Sequence, residues 1–316
     1  MTTHPTTGES AWWQRIVPSG RGVVIGVPYF WLLLFFLLPF LIVTKISVSE
    51  METVRFKDVL TLKEGLLQLT LKLSNYVFIT QDDIYFKTYL ASLKYAAVTT
   101  ALCLAIGYPF AYFMARAKAT IQPALLMLVM LPFWTSFLLR VYAWKGLLSE
   151  NGWVAELLIG LRIDQILFAA DLIEAPGKLM NTPFSLVIGM VYTYLPFMIL
   201  PLYANLAKMD LRLLEAAADL GATPWVAFWK VTVPLSKAGI IAGSMLVFIP
   251  CVGEFVIPEL LGGPKTLMIG RVLWDEFFSN NDWPLASAVA VVMILLIIVP
   301  LAIFNKYQAE ATEKRS

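Results

Sequence analysis

The stretch 208–237, which reads KMDLRLLEAAADLGATPWVAFWKVTVPLSK, decides the fold because it is a short polar hairpin between two long apolar blocks. Asp210 predicts the N-cap of a first helix, and Gly221 predicts the end of that helix. Thr223, followed by Pro224 at the first helical position, predicts the start of a second helix. The pattern therefore predicts a helix–turn–helix that connects two membrane-spanning segments.

Apolar blocks on both sides of this hairpin are long enough to cross a bilayer, which takes about 20 residues of helix. The composition agrees, because 59% of the residues are hydrophobic and only 15% are charged. Soluble chains have about 45–50% apolar and about 25% charged residues. The blocks are 22–44, 95–115, 119–139, 179–207, 238–263 and 283–305. We therefore predict an all-α polytopic membrane protein with six transmembrane helices.

Basic residues near the ends of the blocks predict the orientation, because cytoplasmic loops carry an excess of Lys and Arg. The connections 150–178 and 265–282 are acid-rich and hold few basic residues. The opposite side collects Arg15, Arg21, Arg116, Lys118, Lys208, Arg212, Lys230, Lys237, Lys306, Lys314 and Arg315. Both termini are therefore predicted to be cytoplasmic.

Cysteine and histidine usage excludes several classes of chemistry. Cys103 and Cys251 lie inside apolar blocks, where a free cysteine behaves as a small hydrophobic residue. The single histidine, His4, lies in the polar N-terminal tail. We therefore predict no metal site, no cofactor and no enzymatic activity of the chain itself. The net charge of +2 is too small to indicate a nucleic-acid partner.

The first helix of the hairpin is amphipathic, with Leu211, Leu214 and Ala218 on one face. Such a helix either inserts into the groove of a partner protein or lies on the lipid headgroups. The mixture of acidic and basic residues, together with the small side chains of Ala216 and Ala217, favours a partner protein.

The hairpin resembles the EAA loop of binding-protein-dependent ABC importer permeases. That family has Glu-Ala-Ala, three residues, Gly, nine residues and then Ile-x-Leu-Pro. Both spacings hold here, although valines replace the Ile and the Leu. The corresponding residues are Glu215, Ala216, Ala217, Gly221, Val231, Val233 and Pro234. The resemblance implies that these residues form a coupling helix that docks on an ATPase subunit, with Glu215 and Gly221 responsible for the docking geometry.

The resemblance extends over nearly the whole chain and is to polyamine importer permeases, with the putrescine system nearest. It is carried by PYFWLLLFFLLPFLIVTKIS from residue 28, LPFWTSFLLRVYAWKGLL from 131, VYTYLPFMILPLY from 191, GSMLVFIPCVGEFVIPELLGG from 243 and MIGRVLWDEFFSNNDWPLASAVA from 268. It implies a bacterial inner-membrane location and polyamine as substrate. The implied partners are a cytoplasmic ABC ATPase dimer, a second related permease in a heterodimer, and a periplasmic polyamine-binding protein.

The predicted organisation follows from the spans and this resemblance. It comprises a cytoplasmic N-terminal tail at 1–21, a first transmembrane helix at 22–46, a periplasmic segment at 47–86, a type-1 permease core at 87–306 that contains the coupling loop 208–237, and a cytoplasmic C-terminal tail at 307–316. No nucleotide site is predicted, because LGGPKT at 261–266 lacks the P-loop spacing. Energy would therefore come from the separate ATPase.

A path for a polyamine should offer carboxylates for its ammonium groups and aromatic faces for cation–π contact. Glu254 is the first candidate because it interrupts an apolar block. Its alternatives are an ion pair with a basic residue or solvation at the outer headgroups. Trp134, Tyr192 and Tyr194 are aromatic candidates, although Trp and Tyr at span ends commonly form the interfacial belt.

Two other functions fit parts of the pattern. Importers of amino acids, sulfate, phosphonate or iron share the EAA loop, and the deep carboxylate at Glu254 favours a cation over an anion. An ion-coupled secondary transporter would show repeated halves with interrupted helices, but it would not need a docking hairpin.

Overall fold

The computed structural model describes the backbone of residues 20–52, 55–56, 60–63, 66–69 and 72–313, and the side chains of 22–50, 72–299 and 301–302. The predicted N-terminal tail up to residue 19, with His4 and Arg15, lies outside the described residues, as do Lys314 and Arg315. The chain divides into two compact units, Met1–Asn75 with Trp283–Val291, and Tyr76–Asp282 with Val292–Ser316.

The first unit contains the first predicted span. Helix α1 (Gly20–Leu32), a π-helical turn (Leu33–Leu37) and helix α2 (Leu38–Ser47) follow one another without a gap. Together, Gly22–Ser47 is long and apolar enough to cross a membrane. The side chains of 22–39 are all exposed, which is the expected state of an apolar helix whose neighbours are lipids or another subunit.

Two small hairpins follow this helix in the predicted periplasmic segment. Strand β1 (Met51–Glu52) pairs antiparallel with β2 (Arg55–Phe56), and β3 (Leu60–Lys63) pairs antiparallel with β4 (Leu66–Leu69). The chain then returns to the end of α2, where Asn75 Nδ2 donates to the Ser47 carbonyl oxygen at 3.2 Å. The all-α class is confirmed for the apolar segments, and the described strands are confined to this connection.

The remaining elements are helical. In chain order they are α3 (Ser74–Gln81), α4 (Asp83–Arg116), α5 (Gln122–Met130), a 3-10 turn (Leu131–Trp134), α6 (Phe137–Leu147), α7 (Trp153–Gly160), α8 (Ile163–Ala169), α9 (Pro183–Leu206), α10 (Arg212–Asp219), α11 (Pro224–Ala227), a π-helical turn (Phe228–Thr232), α12 (Val233–Leu235), α13 (Lys237–Val252), α14 (Val256–Leu260), a 3-10 turn (Pro264–Thr266), α15 (Ile269–Trp274), a π-helical turn (Asp275–Ser279) and α16 (Trp283–Glu313).

Several predicted spans are not simple helices. Of the described residues, three helices are long and apolar enough to cross a membrane, or up to five if each bent pair is one span. The first pair, Gln122–Trp134 with Phe137–Leu147, bends by 89° where Pro132 and the extended Thr135 interrupt the helix. The second, Pro224–Leu235 with Lys237–Val252, bends by 65°. Trp283–Val299 is a shorter apolar helix, so the count of six stays a prediction.

Helices α4, α9 and α13 pack on one another and form the centre of the second unit. Cys103, Met198 and Val247 are completely buried there. A Cβ added at Gly243 would lie 2.8 Å from Met198 Sδ, and one added at Gly107 would lie 3.2 Å from Met198 Cγ. These glycines therefore allow the close helix contacts that membrane proteins commonly use.

Candidate functional site

The first helix of the hairpin ends at Gly221 as its sequence predicts, and it begins one residue later than predicted. The N-cap position of α10 is Leu211, one residue after the predicted Asp210. Asp210 Oδ1 accepts a hydrogen bond from the Arg212 backbone N–H, the first of the helix, at 3.0 Å. Gly221 has φ of +80°, the left-handed conformation that favours glycine. The Gly221 N–H donates to the Ala218 carbonyl at 2.8 Å, and the Ala222 N–H donates to the Ala217 carbonyl at 3.0 Å. This pair of bonds is a Schellman motif, which ends the helix.

The second helix is anchored to α4. Thr223 Oγ1 accepts from the Val226 N–H at 3.4 Å and caps α11 as predicted. The ring of Phe228 meets Tyr108 and Tyr112 of α4 edge-on, with centroids 5.6 and 5.9 Å away. The Tyr108 hydroxyl is 2.8 Å from Ser236 Oγ. The second half of the hairpin therefore packs directly on the long helix α4.

The first helix of the hairpin, α10, is not covered by other described residues of the chain. No residue of α10 is buried, so Glu215, Ala216 and Ala217 are all accessible. Leu220 is 89% exposed and Trp225 is 70% exposed. Val231 is half-buried, and Pro234 is exposed in α12. Exposed large apolar side chains together with an accessible acidic residue are typical of a protein-docking surface.

Glu254 lies where the fifth predicted span breaks. Helix α13 ends at Val252, and α14 begins only at Val256. The carboxylate of Glu254 caps α14, because its Oε1 accepts from the Phe255 N–H at 3.2 Å and from the Val256 N–H at 3.1 Å. Its Oε2 accepts from the hydroxyl of Tyr194 on α9. Glu254 therefore links a broken span to the neighbouring long helix.

The carboxylate of Glu254 accepts fewer hydrogen bonds from the described residues than it is able to accept. A carboxylate accepts about four hydrogen bonds, and the two backbone N–H groups and the Tyr194 hydroxyl occupy three positions. Glu254 is 9% exposed, and in the described part of the chain no Lys or Arg forms an ion pair with it. The structure therefore gives Glu254 a hydroxyl partner in place of the basic partner that one interpretation expected.

The three aromatic candidates, Tyr194, Tyr192 and Trp134, have different surroundings in the structure. Tyr194 is buried and bonded to Glu254, whereas the ring of Tyr192 meets Trp144 at 5.5 Å between centroids. Trp134 ends the 3-10 turn at the bend in the third predicted span and is 70% exposed. Only Tyr194 among these three contacts the carboxylate.

A group of residues that the sequence did not single out lies beside Glu254. The ring of Phe255 stacks on Trp274 at 4.4 Å and 9°, and Trp274 meets Phe278 at 4.1 Å and 36°. We call these three rings the aromatic ladder. The spacing of Trp274 and Phe278, four residues apart, could have predicted from the sequence that these two rings meet on one helix face. Only the tertiary fold places Phe255 against them.

Helix α15, which carries Trp274, is held tightly against the break at Glu254. A Cβ added at Gly270 would lie 2.4 Å from the Gly253 carbonyl oxygen and 2.6 Å from that of Glu254. Arg271 forms an ion pair with Glu259 of α14, with Nε and Oε2 2.6 Å apart. The backbone N–H at Ile269 donates to Ser92 Oγ of α4 at 2.8 Å. The ladder is therefore fixed relative to the carboxylate.

Two acidic residues of the acid-rich connections 150–178 and 265–282 have local partners. Glu276 Oε1 accepts from the Tyr85 hydroxyl at 2.8 Å, and its Oε2 accepts from Asn280 Nδ2 at 2.8 Å. Glu174 accepts from Lys178 Nζ at 3.0 Å, and this hydrogen bond lowers the pKa of the Glu174 carboxyl. These contacts hold both carboxylates within structured connections.

The helical fold, the exposed EAA hairpin and the broken span together define a membrane permease subunit. Residues 104–314 match the family described as binding-protein-dependent transport system inner membrane component. The chain belongs to this family of inner-membrane permeases, which also confirms its predicted class as a transport subunit.

Two curated relatives cover most of the chain. It is 37% identical over 284 residues to the spermidine/putrescine transport system permease protein PotB of Salmonella typhimurium (strain SL1344), covering 90% of this chain and 92% of that protein. It is 37% identical over 287 residues to the PotB protein of Haemophilus influenzae, covering 91% and 93%. A third, the inner membrane ABC transporter permease protein YdcU of Escherichia coli, is 34% identical over 70% of this chain and 71% of its own length.

A solved structure has the same fold at low sequence identity. The chain superposes with a TM-score of 0.60 on a chain of a bacterial ABC transporter involved in the import of the acidic polysaccharide alginate, with 17% identity. The alignment covers 92% of this chain and 99% of that chain. The fold is therefore that of an ABC importer permease.

Proposed function

We propose that the chain is a permease subunit of an ATP-driven polyamine importer and forms half of the path for putrescine or spermidine across the inner membrane. The 37% identity to spermidine/putrescine permeases along 90% of the chain carries this proposal. The chemistry of the broken span supports it, since the buried carboxylate of Glu254 can accept one further hydrogen bond, and an ammonium group can supply it. An alternative cargo such as an amino acid, sulfate, phosphonate or iron fits the hairpin equally well but does not share this support.

The proposed assembly follows from the hairpin and from the family. The exposed face of α10 with Glu215, together with Gly221 just after its end, docks on a cytoplasmic ABC ATPase dimer. A second, related permease completes a heterodimer, and a periplasmic polyamine-binding protein delivers substrate from the other side. Both termini are then cytoplasmic, in agreement with the distribution of Lys and Arg. The domain boundaries predicted from the sequence remain part of this proposal.

Within this proposal Glu254 and Tyr194 contact the substrate. The Tyr194 hydroxyl holds Oε2 of Glu254 in place, and the free acceptor position receives an ammonium group. Tyr192 and Trp134 are the weaker candidates for the path because they contact neither of these residues within the described part of the chain. An ammonium is well matched to this site, since a buried carboxylate without a cation is costly.

Labelled putrescine uptake in cells that depend on this chain tests the proposed function. We expect saturable uptake that unlabelled spermidine competes for, and no competition by glutamine, sulfate or phosphonate. Copurification should bring down an ATPase and a second permease. Dependence on a sodium or proton gradient without an ATPase would contradict the proposal in favour of a secondary transporter.

Replacing Glu254 with glutamine should raise the KM for polyamine while assembly stays intact. Glutamine keeps its oxygen for the Phe255 and Val256 N–H groups, so these two bonds survive. Its NH2 group replaces the oxygen that accepts from the Tyr194 hydroxyl, and that hydroxyl can accept from the NH2 group instead. The main loss is therefore the negative charge. A hydrogen bond to a charged group is worth about 1.5–3 kcal/mol, so KM should rise about 10- to 100-fold. Initial uptake rates over a range of putrescine concentrations measure this.

Two further variants separate charge from capping. Glu156→Gln changes an exposed carboxylate on α7 and should leave KM unchanged. Glu254→Ala removes the cap as well, which costs about 1 kcal/mol and should lower Tm relative to Glu254→Gln. Uptake kinetics of Glu254→Gln identical to wild type would remove Glu254 from the path.

A further inference from the structure

The aromatic ladder lies at the same break in the fifth span as the carboxylate of Glu254. Glu254 Oε1 accepts from the N–H of Phe255, the first residue of the ladder, at 3.2 Å. Glu254 is thus the sequence neighbour of the first ladder residue, and its carboxylate is bonded to the backbone of that residue. Trp274 is 41% exposed and Phe278 is 55% exposed, so the edge of the stack remains open to a ligand.

Ring faces attract cations, and Trp does so most strongly. The methylene segments of a polyamine also pack on such rings, because they are apolar. A ladder of three rings next to a carboxylate therefore offers both kinds of contact that a chain of methylenes between ammonium groups requires. Neither Phe255, Trp274 nor Phe278 has a charged partner on its ring among the described cation–π contacts.

The position of the ladder is fixed by contacts that leave little freedom. The close approach of Gly270 to the carbonyl oxygens at the break, and the ion pair between Arg271 and Glu259, hold α15. The π-helical turn that carries Phe278 is held through Glu276, which accepts from Tyr85 of α4. A preorganised site of this kind binds a flexible ligand with less loss of entropy in the protein.

Resting on the function proposed above, we propose that Phe255, Trp274 and Phe278 form a subsite for the polyamine next to Glu254, with Trp274 as the main cation–π contact. The ladder receives one ammonium and the methylenes beside it, while Glu254 receives another ammonium. An interfacial aromatic belt is the competing role for these rings, since Trp at the membrane surface commonly serves that purpose.

Substitution of Trp274 distinguishes the two roles. For Trp274→Leu we expect the KM for putrescine and spermidine to rise on the order of tenfold, with the maximal rate within about twofold of wild type. Trp274→Phe should have an intermediate KM, because cation–π attraction follows the order Trp, Phe, Leu, whereas a purely apolar contact would treat Phe and Leu alike. Trp153→Leu is the matched control, since Trp153 is an exposed tryptophan on α7.

The readouts are concentration-dependent uptake of labelled polyamine and copurification of the ATPase. If Trp274→Leu fails to assemble, Phe278→Leu at the exposed end of the ladder takes its place, and we expect its KM to rise about threefold or more. If the wild-type chain transports polyamine and every assembled ladder variant has the same kinetics as wild type, the subsite proposal is wrong. Absence of polyamine uptake by the wild-type chain would instead overturn the proposed function.

Discussion

Glu215→Arg should abolish polyamine uptake while the chain still inserts into the membrane. Glu215 is accessible on α10, in the same hairpin as the exposed Leu220 and Trp225, so the substitution leaves the packing of this chain unchanged. In the proposed complex this face is buried against the ATPase, where loss of a charged contact costs about 2–5 kcal/mol. The affinity for the ATPase should then fall about 30-fold or more. Copurification of the ATPase and binding-protein-stimulated ATP hydrolysis measure the loss.

Glu156→Arg provides the matched control for this experiment. It makes the same change of charge at an exposed position on α7, away from the hairpin, and should leave copurification and uptake near wild type. Normal stimulated ATPase activity in the Glu215→Arg complex would show that α10 is not the docking helix. Loss of function in both variants would point to a general effect of charge on insertion.

Gly270→Ala should destabilise the chain and sharply reduce uptake. The new Cβ would lie 2.4 Å from the Gly253 carbonyl oxygen, which is closer than atoms of folded proteins approach, so α15 would have to move away from the break. Overpacking of this kind costs about 1–3 kcal/mol, or roughly 2–10 °C in Tm for a chain of this size. Thermal unfolding in detergent measures the shift, and the displaced Trp274 should add a rise in KM.

The control is another helical glycine with free space around it. A Cβ added at Gly146 in α6 has nothing within 4 Å, so Gly146→Ala should raise Tm slightly because alanine favours the helix. If Gly270→Ala matched Gly146→Ala in both Tm and KM, close packing of α15 on the break would have no part in transport.

The hairpin could be predicted in detail because its signals are local. Asp210 and Thr223 bond to backbone N–H groups two or three residues ahead, and Gly221 needs only its own backbone conformation. Such interactions depend on sequence neighbours, so a short stretch of sequence contains all of their parts. The spacing of Glu215 and Gly221 also indicated the family that the comparison with known proteins confirmed.

The substrate region was predicted only in part, because its contacts join distant parts of the chain. Glu254 could be predicted as a substrate-path residue because it is a charged residue within an apolar block. Tyr194 was predicted as an aromatic residue of the same path, in a different span. That the two are bonded depends on the packing of α9 against α13 and α14, which links residues far apart in sequence. The bend after Trp134 and the break before α14 were also not evident from apolar length alone, since each block is long enough to span without interruption.

The sequence by itself determined the membrane environment, the hairpin with its caps and the family, because hydrophobic length, capping and motif spacing are properties of neighbouring residues. Only the tertiary structure decided which partners Glu254 has and which rings stand beside it. Phe255 and Trp274 meet because Gly270 has no side chain and lets α15 approach the break. Such an encounter depends on how helices pack in three dimensions, and packing is a property of the whole fold.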